Sequence, residues 1–96
     1  MNIRILPEAQ EDLFDAYWFY ERQNEGVGDY FIGSIMKDIE TLNISAGDHV
    51  IHLGKHRKIA SVFPYSIYYL IDNGEVNIYA VVDDRRDPEW VSERLN

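Results

Sequence analysis

Two apolar runs, residues 63–71 and 76–82, flank Asp72-Asn73-Gly74-Glu75. A two-residue type I′ turn needs φ > 0 at both central positions, and Asn-Gly meets that need better than almost any other pair. The stretch therefore predicts a β-hairpin, and the turn sets its register. Ile71 falls opposite Val76, Tyr69 opposite Ile78 and Ile67 opposite Ala80. Side chains alternate along a strand, so these six form one apolar face. The other face carries Ser66, Tyr68 and Leu70 against Val81, Tyr79 and Asn77. The first face predicts a core; the second, aromatic and partly polar, is where function has room.

The rest of the chain supplies elements to cover that core. Ile3-Arg4-Ile5-Leu6 reads as a first strand stopped by Pro7, which suits the first turn of a helix. Glu8, Glu11 and Asp12 then sit near the positive end of the helix dipole. Leu13, Ala16, Tyr17 and Tyr20 recur at helical spacing, with Ala9 one turn earlier. Phe14 and Trp18 widen that stripe, so the helix is apolar on more than one side. Asn24-Glu25-Gly26 breaks it. A second stripe, Phe31, Ile35, Ile39 and Leu42, predicts a second helix, with Gly28 and Gly33 weakening it by roughly 1 kcal/mol each.

Two helices across a short break form a hairpin whose apolar stripes seek the sheet. Residues 43–54 read as loop, with 50–53 a short extended piece. Residues 57–62 lead as a strand into the Phe63-Pro64-Tyr65 turn. Asp87, Pro88 and Glu89 place a cap, an N1 proline and a first-turn acid at the start of a last short helix, to about residue 95. The expected fold is α+β, in the order β-α-α-β-β-β-α. An antiparallel sheet carries the N-terminal helical hairpin on one face, as one domain over residues 1–96.

Charge narrows the choice of partner. The net charge is −8, from 17 acidic and 9 basic residues. The first fifty residues hold ten acids and three bases; the remainder is nearly balanced, with seven and six. Non-specific nucleic-acid binding requires phosphate neutralisation, which this balance opposes. Only Lys55, Arg57, Lys58, Arg85 and Arg86 offer a local basic patch. The chain has no cysteine, which removes disulfide and thiolate chemistry. No apolar run approaches the roughly 18 residues of a membrane span, and no signal-peptide core opens the chain, so a cytoplasmic protein without membrane contact is expected.

The ordered motifs carry a resemblance. Pro7-Glu8-Ala9 with Asp12-Leu13 precedes a two-helix region; Phe63-Pro64-Tyr65 runs into Ile67-Tyr68-Tyr69; the last strand ends in Asp84-Arg85-Arg86-Asp87-Pro88 and then Trp90. The pattern, spanning nearly the whole chain, resembles the RelE/ParE superfamily of bacterial toxins, on its ParE-like or plasmid-stabilisation side. That resemblance implies a small α+β toxin of a type II toxin–antitoxin system, neutralised by a cognate antitoxin in a hetero-oligomer.

Within that resemblance, two modes of action are open. Characterised ParE-like members poison DNA gyrase, a protein target that demands a surface rather than a catalytic set. The candidate target-binding residues are then Arg57, Tyr65, Tyr68, Tyr79, Arg85 and Arg86. RelE-like members cleave ribosome-bound mRNA without metal, which requires a base, cations for the transition state and a proton donor. Arg57, Lys58 and Arg85 are the candidates there. The terminal Tyr or His common in that branch is missing, and Asp83 and Asp84 crowd the arginines. A third reading is an inactive relative kept as a binding partner.

For the antitoxin, Phe14 and Trp18 are candidate apolar anchors, with Glu11 and Asp15 beside them as acidic contacts. Against each functional reading stands a plain one: Trp18 as packing, the sheet tyrosines as cover for the last helix, and the Asp–Arg cluster as capping and ion pairing. No cofactor or metal is expected. His49, His52 and His56 beside Asp48 have tempting spacing, but the flanking glycines argue against a helix that would align them. Asp83, Asp84, Asp87 and Glu89 are interleaved with Arg85 and Arg86, and capping explains two of the four.

Overall fold

A computed structural model describes residues 1–96. Strand β1 (Asn2–Ile5) leads into helix α1 (Pro7–Gln23), then α2 (Val27–Glu40) and a single turn, α3 (Leu42–Ser45). Four strands follow: β2 (Ile51–His52), β3 (Lys55–Ile59), β4 (Tyr65–Asp72) and β5 (Glu75–Asp83), before the last helix α4 (Pro88–Leu95). The sheet runs β1-β5-β4-β3-β2. The architecture is the expected α+β one, with three refinements. The segment at 50–53 is a true edge strand, so there are five strands. Residues 42–45 add a helical turn. The sheet is mixed, because β1 runs parallel to β5.

The central hairpin forms where Asn-Gly places it, with Asn73 at φ 50° and Gly74 at φ 74°. Near the turn the register is as expected, Ile71 with Val76 and Tyr69 with Ile78. It then shifts by one. Tyr68 pairs with Ala80 and Ile67 with Val81, not Ala80, because Tyr79 is an extra residue on β5. Such a bulge exchanges the faces of everything beyond it on its own strand. Val81 therefore joins the main core, while Ala80 and Val82 turn to the opposite side. Turn chemistry sets register only as far as the first irregularity.

Helices α1 and α2 cover one face of the sheet. Ala9, Leu13 and Ala16 of α1 and Phe31, Ile35 and Ile39 of α2 meet Ile67, Tyr69, Val76 and Ile78 in a single core. The two helices approach closely at Gly28, where an added Cβ would lie 2.8 Å from the Tyr17 carbonyl oxygen. The same turn is held by Glu21, whose carboxylate accepts the amides of Gly26 and Gly28 at the start of α2. Asp38, buried at the end of α2, accepts the Ser61 amide at 3.0 Å and pins the loop before β4.

On the other face α4 lies over a smaller cluster, Tyr68, Ala80, Val82 and its own Leu95. No helix is long and apolar enough to cross a membrane.

Candidate functional site: a groove between the first and last helices

Helix α1 is apolar on two sides, and only one is covered. Phe14, Trp18 and Phe19 are 63%, 39% and 50% exposed. Phe14 and Trp18, one turn apart, meet edge to face with ring centroids 6.4 Å apart. Arg22, one turn further, lies over the Trp18 ring at 5.9 Å. This i, i+4 ladder is a neighbour geometry that a helix supplies by itself.

Facing it is the start of α4. Asp87 caps that helix by accepting the Glu89 amide at 3.0 Å. The guanidinium of Arg86 lies 4.3 Å from the centre of the Trp90 ring. Between Phe14, Trp18 and Phe19 on one side and Trp90 and Arg86 on the other runs a groove of about 590 Å³. Its floor is the end of β5, at Val81, Val82 and Asp83. Aromatic walls with a few charged rim groups suit a polypeptide ligand.

Asp12 ties the two walls. Its carboxylate accepts the Val81 amide at 2.9 Å and pairs with the Arg94 guanidinium, which also donates to the Tyr79 carbonyl at 3.2 Å. One ion pair thus links α1, the bulged stretch of β5 and α4. Burial raises the Asp12 pKa above the ordinary carboxylate value, and the bonds from Arg94 and Val81 oppose that shift.

Three of the four residues expected to meet an antitoxin, Phe14, Asp15 and Trp18, line this groove; Glu11 is exposed on the same helix. The residues expected to bind a target are scattered. Arg86 lines the groove. Arg57 is half-buried near the α4 side of the sheet, donating to Ser66 Oγ at 2.9 Å and to Asp84 at 3.2 Å. Lys58, next along β3, projects to the opposite face by strand alternation. Arg85 is held by both oxygens of Asp83 and reaches the Tyr20 hydroxyl at 3.4 Å. That clamp, first through its hydrogen bonds, lowers the Asp83 pKa and raises that of Arg85. Arg57, Lys58 and Arg85 therefore do not converge on one point.

The tyrosines also correct an expectation. Tyr65 is 5% and Tyr68 2% exposed, so neither offers a platform to a partner. Tyr65 packs among Tyr20 and Phe31, and Tyr68 lies beneath α4. Burial raises both hydroxyl pKa values. Tyr79 is half-buried, its ring 5.1 Å from the Lys55 ammonium. The histidines are tied into the fold: His49 Nδ1 meets the Tyr69 hydroxyl, and His56 Nδ1 bonds the His49 carbonyl at 2.7 Å.

Phe19, Arg22, Trp90 and the Asp12–Arg94 tie were not singled out as site residues from the sequence. A signal for Phe19 existed: like Phe14 and Trp18, it lies off the stripe of Ala9, Leu13 and Ala16. Trp90 carried no periodic signal, since α4 is only two turns long.

No family model matches the sequence, and no curated protein matches it. Among solved structures, the chain is similar to one described as a chromosomal ParDE TA system from P. aeruginosa. The TM-score is 0.78 at 16% identity, covering 86% of this chain and 95% of that one. At that identity the likeness is one of fold, and it extends over nearly the whole of both chains.

Proposed function

We propose that this chain is the toxin of a type II toxin–antitoxin module of the ParE kind, acting in the cytoplasm by binding a protein and held in check by a cognate antitoxin. The observation that carries the reading is the shared fold: a TM-score of 0.78 to a chain from a system described as ParDE TA, with no large segment of either chain left over. By what the ParE resemblance implies, the target is DNA gyrase. The antitoxin engages the exposed aromatics of α1, Phe14 and Trp18, with Glu11 and Asp15 beside them.

The arrangement of cations favours a protein target over mRNA. Arg57 and Arg85 are each engaged by a carboxylate, and Arg86 is stacked on Trp90. An RNA phosphate would have to displace those partners, in a protein of net charge −8.

The test is expression from a tight promoter, alone and with each neighbouring gene. Growth arrest relieved by one neighbour, with loss of supercoiling by purified gyrase in the presence of the chain, is the expected outcome. Codon-position cuts in ribosome-bound mRNA that vanish in Arg85→Ala would replace this reading with a ribonuclease. Free expression without arrest would leave an inert binding partner.

A further inference from the structure

The β4–β5 turn holds the one asparagine of the chain that is followed by glycine. Asn2, Asn43 and Asn77 are each followed by isoleucine, and Asn24 by glutamate. A side chain on the following residue crowds its amide nitrogen. Gly74 has none, and even an added Cβ there would meet nothing within 4 Å. Asn73 and Gly74 are both exposed. The Gly74 amide lies between the paired residues Asp72 and Glu75 and bonds no group of the chain; the Asn73 carboxamide is likewise unengaged. An electrophile and a nucleophile on neighbouring residues are thus both free.

We propose that Asn73 is a site of spontaneous covalent modification, at which the Gly74 nitrogen displaces the side-chain amide and the central hairpin ages to a succinimide, then to aspartate and isoaspartate. This does not rest on the toxin reading or on any partner.

The step balances without a cofactor. The Gly74 nitrogen gives up its proton and bonds to Asn73 Cγ; the Cγ–Nδ2 bond breaks, and ammonia leaves with that proton. Water then opens the ring. Attack at Cγ restores the backbone with an aspartate side chain. Attack at the main-chain carbonyl leaves the chain running through Cβ and Cγ, as isoaspartate. Nothing is oxidised or reduced.

Turn geometry brings ring closure within reach of the folded protein. The ring closes when the Gly74 nitrogen eclipses Asn73 Cβ about the Cα–C bond. In an L residue that is a ψ of roughly −120°, the value a type II′ turn has at its first central position. The φ of 50° at Asn73 and 74° at Gly74 define a type I′ turn instead. There ψ is roughly +30°, and the nitrogen faces away from Cβ. The two turns share the positive φ that Asn73 already has, and they differ by rotation of the single peptide plane between Asn73 and Gly74. Both serve two-residue hairpins, so the Asp72–Glu75 and Ile71–Val76 pairs stay in place during the flip. The flip takes Gly74 to negative φ, and glycine accepts either sign.

The products fall where the fold is sensitive. Isoaspartate adds a backbone carbon to a turn whose length sets the register of the two central strands. Either product places a third carboxylate between Asp72 and Glu75, which already face each other across the ladder in a chain of net charge −8. Like charges so placed are destabilising. The turn lies at the opposite end of β5 from the groove floor at Val81 to Asp83, so a partner seated in the groove leaves it open.

The experiment incubates the full chain at mildly alkaline pH, folded and in guanidinium chloride. Peptide mass spectrometry follows each asparagine, and a repair methyltransferase specific for isoaspartate probes the product. Asn73 should convert at least about tenfold faster than Asn2, Asn24, Asn43 or Asn77, with isoaspartate formed, and its folded rate should lie within about a hundredfold of the unfolded one. Hydrogen exchange at the Glu75 amide should be faster by about tenfold in the isoaspartate form. Asn73→Gly, which keeps a residue suited to positive φ, should fold and hold both its mass and its Glu75 protection over the same period. An intact Asn73 in the folded chain would overturn the proposal. So would a folded rate slower by about a thousandfold or more, the factor set by the unfolded fraction of a native domain, since the reaction would then need the hairpin to unfold. Conversion without isoaspartate would also overturn it, because direct hydrolysis passes through no ring.

Discussion

The carboxylate of Asp12 and the guanidinium of Arg94, 82 residues apart in sequence, form the joint at which the first helix, the last helix and the bulge of β5 meet. Both side chains are mostly buried, 15% and 21% exposed. Removing one partner of such a pair strands the other and, here, the Val81 amide as well. Asp12→Ala should cost about 2–4 kcal/mol in urea unfolding. The Asp12→Ala/Arg94→Met double variant should cost less than the sum of its singles, because neither charge is then left alone.

The β2–β3 loop contains a second two-residue turn with positive φ, Leu53 at 53° and Gly54 at 81°. A leucine there is strained by roughly 1–2 kcal/mol relative to a residue that tolerates the left-handed region. Leu53 is 43% exposed, so little packing offsets that strain. Leu53→Asn should raise stability by about 0.5–1 kcal/mol. Differential scanning calorimetry would read this as a Tm higher by a few degrees for a domain of this size. An unchanged or lower Tm would show that the Leu53 side chain contributes more contact than its exposure indicates.

The same position explains what was legible in the sequence. Asn73-Gly74 announces its turn because both residues accept positive φ, whereas Leu53-Gly54 makes the same turn with a residue that does not advertise it. Helices α1 and α2 were readable from their spacing, and so was the capped start of α4. The bulge at Tyr79 was not, because it depends on groups distant in sequence: Arg94 takes the carbonyl it frees, and Lys55 takes the ring. Half of the groove was visible as Phe14 and Trp18, excess apolar residues on an already amphipathic helix. The other half came from α4, whose placement rests on Asp12 and Leu95 rather than on any local pattern. Tyr65 and Tyr68 looked available because alternation gives a face but not what covers it.

His49 links the loop before β2 to the core. The Tyr69 oxygen accepts the Gly47 amide at 2.9 Å, and its hydroxyl also shares a hydrogen bond with His49 Nδ1. Burial is the main cause that lowers the His49 pKa; Lys58 and His56 act in the same direction and Asp48 opposes them. A histidine whose pKa is depressed on folding binds more protons when unfolded, so stability rises with pH. Its contribution is present above the ordinary value of 6.5 and is lost as pH falls through the lower folded value. Unfolding midpoints measured from pH 8 to pH 5 should therefore decline more in the wild type than in His49→Gln. Parallel profiles for the two proteins would assign the acid sensitivity elsewhere.

Trp18 separates a recognition surface from a structural one. Its ring touches Phe14, Tyr17 and Arg22, all on its own helix, and its other side opens to the groove. Trp18→Ala should thus change the unfolding free energy by less than about 1 kcal/mol, as for a surface substitution. Binding of the neutralising partner should fall by tenfold to several hundredfold, the range of a central aromatic anchor. Because the anchor is apolar and the nearby arginines are engaged, affinity should vary little between low and moderate salt, while the association rate varies more. Titrations at several salt concentrations, with circular dichroism on the same samples, separate the two effects. A Trp18→Ala protein that unfolds several kcal/mol more easily, or one that binds as the wild type does with a steep salt dependence, would return Trp18 to packing and make the complex electrostatic.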